Sequence, residues 1–269
     1  MNTGEEEKFL YIDGVEKLMG RYCKILESEQ EKKNHAVVIY GDTGCGKKFF
    51  CNECMRMAKV QNRDAEDVVI VDMIGEFEGS NFDSEEKLRR ILGIIEYEIS
   101  KKKGYEELRG KEENSEVFKR VLKQWLFETN NVLLIRFPKI EVLEEIEEYF
   151  NKLFVNNTIL YFVMEKGALV RKCMKSLGRN IQYFECKPLK RGDGELVIKS
   201  SYSGAESPVF DLDAIEAFME DRWIDDRDIT IKEFKAICDT ACRYAKERNI
   251  NLIKEKDIGK ALMWDFKCV

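Results

Sequence analysis

The sequence predicts an α/β fold: a five-stranded, largely parallel sheet covered by helices on both faces, followed by a small all-helical domain. Three observations carry this. Five short apolar runs, Ala36–Tyr40, Val68–Val71, Val132–Ile135, Ile159–Val163 and Ile181–Phe184, alternate with longer segments of helical periodicity. The runs are apolar at nearly every position rather than at alternate ones, which is the pattern of strands buried on both faces of a parallel sheet. The last sixty or so residues hold only helical periodicity, after a stretch rich in Gly, Ser and Pro.

Composition agrees. The chain has 269 residues, 44% hydrophobic and 36% charged, with three prolines, enough for one large domain or a large and a small one. No apolar run approaches the roughly 18 residues that span a bilayer, so no membrane role is expected. The first residues, Met1 to Lys8, are polar and acidic, with no secretory pattern. A cytosolic or nuclear protein is expected. Net charge is −6, and residues 209–269 carry 14 acids against 11 bases, so acid and base are evenly spread. Bulk charge therefore excludes a generic nucleic-acid binder. Nine cysteines, Cys51–Cys54 and Cys238–Cys242 among them, and the single His35 lack the paired spacing of a zinc site. No metal is expected, and the thiols read as core.

The elements follow in order. Residues 9–28 predict a helix with Val15, Leu18, Tyr22 and Ile25 on one face, and Gly20-Arg21 within it. The strand 36–40 runs into a glycine-rich turn and then a helix over 47–60. The strand 68–71 precedes a helix over 84–100, opened by Asp83-Ser84-Glu85-Glu86. Residues 100–114 read as a charged loop in which Lys101 to Lys103 are solvated. A helix over 115–128, the strand 132–135, a helix over 141–154, the strand 159–163, a helix over 167–176 and the strand 181–184 complete the first domain, residues 1–190. Residues 191–208 read mainly as linker, with order expected only near Glu195–Lys199. Helices over 211–221, 230–248 and 254–266 form the small helical domain, residues 209–269.

The turn after the first strand is Gly41-Asp42-Thr43-Gly44-Cys45-Gly46-Lys47-Lys48-Phe49. Its spacing, G-x-x-x-x-G-K between strand and helix, is that of the phosphate-binding loop (P-loop). Glycines let backbone N–H groups converge on phosphate oxygens, the helix N-terminus adds positive field, and Lys47 supplies a point charge. The residue after the lysine should carry a hydroxyl for Mg²⁺, and it is Lys48. A second strand should end in a carboxylate that holds the metal. The strand 132–135 is followed instead by Arg136-Phe137-Pro138-Lys139. Both metal-holding positions are thus cationic and are expected to converge. Two cations repel Mg²⁺. They pair either with β- and γ-phosphate oxygens or with acids such as Glu76 or Glu165. Three readings stay open: a retired scaffold, metal-independent nucleotide binding, and hydrolysis. The strand 159–163 ends in Val163-Met164-Glu165-Lys166, without the Asn, Thr or Ser that would sense a γ-phosphate, which argues against hydrolysis.

Gly20-Arg21, Val37 to Lys47, Phe234 to Ala245 and Ile253 to Leu262 together resemble an AAA+ ATPase of the replication-initiator group. Val69 to Gly75, the helix Glu85–Gly93 and Leu169 to Arg179 are similar to the subunit 4 family of the origin recognition complex, in the same order along residues 14–263. The resemblance implies a P-loop AAA+ core with a helical lid domain, in a heteromeric ring with other AAA+ subunits that acts in DNA replication in the nucleus. Nucleotide binding is expected at Gly41–Phe49; Lys48, Arg136 at the degenerate metal position and the missing sensor residue favour any ATP being held without Mg²⁺ and not hydrolysed. Arg171 and Arg179 lie near the family's trans-acting arginine positions, Arg179 being the better candidate, and the lid sensor falls on Lys232 or Arg227. Cys173 and Leu177 stand where that family carries arginines, which weakens the trans-acting role. The family's DNA-gripping winged-helix domain has no counterpart before Val269, so DNA is expected to be met mainly through the complex. The competing readings are an active AAA+ switch or clamp-loader-type ATPase, and a small-molecule kinase. A kinase would want an acid after the third strand and an arginine-rich lid.

Overall fold

The computed structural model describes residues 13–28, 33–77, 79–102, 110, 114–140, 143–165, 181–190, 192–202, 209–224 and 229–265. Two compact units form, one from residues 19–41 and 47–185, the other from residues 1–18, 42–46 and 186–269. The first helix, α1 (Asp13–Glu27), contributes to both. No helix among the described residues is long and apolar enough to cross a membrane.

The larger unit holds β1 (His35–Tyr40), α2 (Lys47–Gln61), β2 (Val68–Asp72), α3 (Ser84–Ser100), α4 (Ser115–Thr129), β3 (Val132–Arg136), α5 (Leu143–Leu153), β4 (Thr158–Met164) and β5 (Ile181–Glu185). The strands form one parallel sheet in the order β2-β3-β4-β1-β5. β1, β3 and β4 are central and almost wholly buried, which is why their sequences are apolar at successive positions. β2 is an edge strand that alternates between buried Val69 and Val71 and more open Val68, Ile70 and Asp72.

The helices cover the sheet with narrow apolar stripes. Leu88, Ile91, Leu92, Ile95 and Ile99 are the buried side of α3, at the spacing of one helical face. Each such side chain removed from water contributes about 1.5–3 kcal/mol. Asp83 caps α3 by accepting from the Glu86 N–H, and Asn114 caps α4 by accepting from Val117 N–H. Asn130 ends α4 in the left-handed region, φ 47°. Phe137 stacks between Tyr149 and Phe162, at centroid distances of 5.1 and 4.6 Å.

The smaller unit holds α6 (Asp193–Ser201), β6 (Val209–Phe210), α7 (Leu212–Ile224), α8 (Ile231–Glu247), β7 (Leu252–Ile253) and α9 (Glu255–Asp265). Its core gathers Val197, Phe218, Met219, Phe234, Ile253 and Ile258. The expected all-helical domain carries one addition, the parallel ribbon β6–β7. Phe210 and Ile253 pair on its buried side, Val209 and Leu252 on its open side. Within the segment read mainly as linker, Asp193–Ser201 form α6. Its Gly and Asp residues are helix-start chemistry. Gly192 is the N-cap at φ 87°, and the Asp193 carboxylate accepts from the Lys190 N–H at 2.6 Å. Leu189, Val197 and Ile198 then pack into the core. The helix expected over 167–176 lies outside the described residues.

Candidate phosphate-binding loop

β1 delivers the chain to the loop and α2 takes it away, the strand–turn–helix order that a phosphate loop needs. Gly41, Gly44 and Gly46 have φ of 143°, 89° and 80°, conformations that L side chains rarely adopt. The Cys45 N–H donates to Asp42 O at 3.3 Å and tightens the tip. Asp42 and Thr43 are exposed, Cys45 is buried and Phe49 half-buried. Lys47 is buried, and its Nζ donates to Gly41 O at 2.8 Å, tying the first turn of α2 to the loop's entry. Lys48 is exposed on the same turn.

The side where the sequence pattern expects a metal is built from β2 and β3. Their parallel register sets Asp72 directly beside Arg136. The Arg136 guanidinium donates through Nε to Asp72 Oδ1 at 2.6 Å and through a second nitrogen to Oδ2; its third nitrogen donates to Asn52 Oδ1 on α2. Arg136 is 4% exposed and Asp72 40%. Burial pushes the Asp72 carboxyl up, but hydrogen bonds from Arg136 and the Ile74 N–H, with the nearby charges of Arg136 and Lys48, hold it below its ordinary value. Burial works to lower Arg136, and Asp72 and Cys51 more than offset it, so the guanidinium stays cationic. Burial pushes the Cys51 thiol up to about 12, against the pull of Arg136.

Arg136 is therefore paired with a carboxylate, and that carboxylate is Asp72 rather than Glu76 or Glu165, with Lys48 adding a nearby positive charge. Glu165 pairs with Lys139 at 3.2 Å, and Glu76 is exposed at the rim of a pocket walled by Phe77, Pro138 and Tyr149. Strand geometry decides this, because a residue aligned across a parallel pair outcompetes acids on the following loops. Asp72 and Asn52 are the site residues that sequence reasoning missed. A signal for Asp72 is present: Val68–Asp72 and Val132–Arg136 are apolar runs of equal length with opposite terminal charges. Lys232 is exposed in the first turn of α8, and its backbone N–H donates to Gly44 O at 3.3 Å. Arg171, Arg179 and Arg227 lie outside the described residues.

The loop offers an anion a helix N-terminus and a lysine. The fit to magnesium is poor. Both oxygens of Asp72 are engaged by Arg136, and among the described residues no group of three or more His, Cys, Asp and Glu side chains could hold a metal ion.

Comparison with known proteins adds the following. The family described as Bacterial TniB protein matches residues 1–127, less than half of the chain. No curated protein matches the sequence. Among solved structures, Cdc6p from Pyrobaculum aerophilum superposes with a TM-score of 0.60 at 13% identity, covering 97% of this chain and 69% of that one. The origin recognition complex of Drosophila, solved bound to DNA, gives 0.58 at 13% identity, over 92% of this chain and 59% of that one. The Holliday junction branch migration motor RuvB of Thermotoga maritima gives 0.55 at 12%, over 92% and 68%. At these identities the likeness is one of fold, and the fold is the AAA+ P-loop fold.

Proposed function

We propose that the chain is a non-hydrolysing AAA+ subunit of the origin recognition complex type, most like subunit 4. It would act in DNA replication initiation by assembling with other AAA+ subunits on origin DNA, in the nucleus. The observation that carries the non-hydrolysing part is the alignment of Arg136 with Asp72. A guanidinium stands where the loop's sequence pattern expects a metal-holding carboxylate, and it engages Asp72. Any ATP is then held by the loop backbone and Lys47, with Lys48 supplying charge that a metal would otherwise bring.

The test is a titration with a fluorescent ATP analogue in Mg²⁺ and in EDTA, with phosphate release followed in parallel. Equal affinity in both buffers and no release is the expected result. Binding abolished by EDTA, or Mg²⁺-dependent turnover, would overturn it and favour an active switch or clamp-loader-type ATPase. The match of residues 1–127 to the TniB family favours a second reading, a bacterial AAA+ protein outside any origin complex. Co-purification from the native source separates the two: origin-complex AAA+ subunits would be recovered only under the first.

A further inference from the structure

The loop glycines were assigned above to phosphate approach, yet Gly44 has a second use. A Cβ built on it would lie 2.8 Å from Thr230 Oγ1 and 2.9 Å from Lys232 Cβ. One built on Gly46 would meet Ile231 Cδ1 at 3.3 Å. The Lys232 N–H donates to Gly44 O. Thr230, Ile231 and Lys232 are the N-cap and first two residues of α8, and they share one compact unit with loop residues 42–46. The start of α8 is itself held by hydrogen bonds. Thr230 and Glu233 form a reciprocal capping box, and Ile229 O accepts from the Leu189 N–H at 3.0 Å.

We propose that Thr230, Ile231 and Lys232 are positioning residues for the phosphate loop. They grip its tip through a carbonyl and through the space left by two missing side chains. In a loop of this kind the N–H groups converge on the concave side, so a contact made at a carbonyl leaves the anion-facing side open. The grip pre-orders the tip, and ordering done before binding is not charged to the ligand. Lys232 acts here through its backbone and Cβ rather than its ammonium. Resting on the nucleotide reading above, occupancy of the loop and docking of the α8 start are thermodynamically linked, each favouring the other.

Hydrogen exchange on the full chain tests this, without nucleotide and with ATP in EDTA or inorganic tripolyphosphate. The variant is Thr230→Gly with Ile231→Ala; glycine keeps most N-cap stability, and circular dichroism verifies the fold. The tip amides, residues 44–46, should exchange at least tenfold faster in the variant, and less than threefold faster in Lys232→Ala, which keeps both the N–H and the Cβ. ATP should slow exchange in the first turn of α8 at least fivefold in the wild type, and the double variant should bind it at least threefold more weakly. Equal tip exchange in wild type and double variant overturns the positioning role, as does a Lys232→Ala effect as large as the double variant's. If neither anion binds the wild-type chain, the nucleotide reading fails. The positioning role is then decided by the exchange of the anion-free protein alone.

Discussion

The Asp72–Arg136 pair predicts an unequal response to removing its two halves. Arg136 is 4% exposed and Asp72 40%. Replacing Asp72 by Ala strands a buried guanidinium with only the neutral partners Asn52 and Cys51 among the contacts described, and breaking a buried pair in this way costs about 3–5 kcal/mol. Replacing Arg136 by Met leaves a carboxylate that water still reaches, so the loss is about 1–2 kcal/mol. With Arg136 already gone, losing Asp72 adds little, so the double variant should resemble Arg136→Met. The resulting coupling is about 3–5 kcal/mol, well above the usual additivity error. Urea unfolding followed by Trp125, a buried residue of the sheet unit, measures this in a background of Trp223→Phe and Trp264→Phe. Asp72→Ala should lower the midpoint by at least about 1 M, given slopes of about 1–3 kcal/mol/M. If Arg136→Met is the costlier single change, or if the two costs simply add, the assignment of Arg136 as the buried, dependent partner is wrong.

Other outcomes follow from the same chemistry. Folding lowers the Asp72 pKa from its ordinary 3.8, so its contribution is complete above that value and is lost as pH falls through the lowered one. The stability gap between wild type and Asp72→Ala should therefore be constant from about pH 7 to 5 and shrink below about pH 4 in acid urea titrations. Tyr22→Phe removes the hydroxyl that bonds the Tyr161 hydroxyl at 2.7 Å and His35 Nε2 at 3.2 Å in a buried cluster. A loss of about 1–2 kcal/mol, or roughly 2–8 °C in Tm, is expected by calorimetry. The Cys51 thiol, buried and pushed up to about 12, should resist an aromatic disulfide reagent at about pH 8 and react only in denaturant, as mass spectrometry of the labelled peptide would reveal.

The sheet was legible in the sequence because each buried strand is a compact apolar run and each helix carries a single stripe. β3 was placed one residue short, since a charged residue gives no periodicity signal, yet Arg136 is the strand's buried last residue. The loop was legible from its glycines alone. The partner of Arg136 was not, because it is fixed by how far β2 and β3 slide past one another, a relation between segments some sixty residues apart. The helix α6 was hidden for the opposite reason: its local residues, Gly192 and Asp193, have turn chemistry, and only packing of Val197 and Ile198 decides for helix. The contact of Thr230 with Gly44 likewise left no local trace, as a glycine that admits a neighbour looks the same as one that admits a phosphate.

The place of β2 gives the ion pair a second consequence. An edge strand has one neighbour, and a short one can slide along it in steps of two without turning its buried side outward. From the observed alignment, such a step one way would set Asp72 against Leu134, and the other way would set Arg136 against Ile70. Either leaves the buried guanidinium without its acid. The charge pair thus works as an end stop that allows one alignment of the sheet's outermost strand. Substitutions made at Arg136 to introduce a carboxylate will also loosen that stop, and any effect on anion binding needs to be read beside the seating of β2.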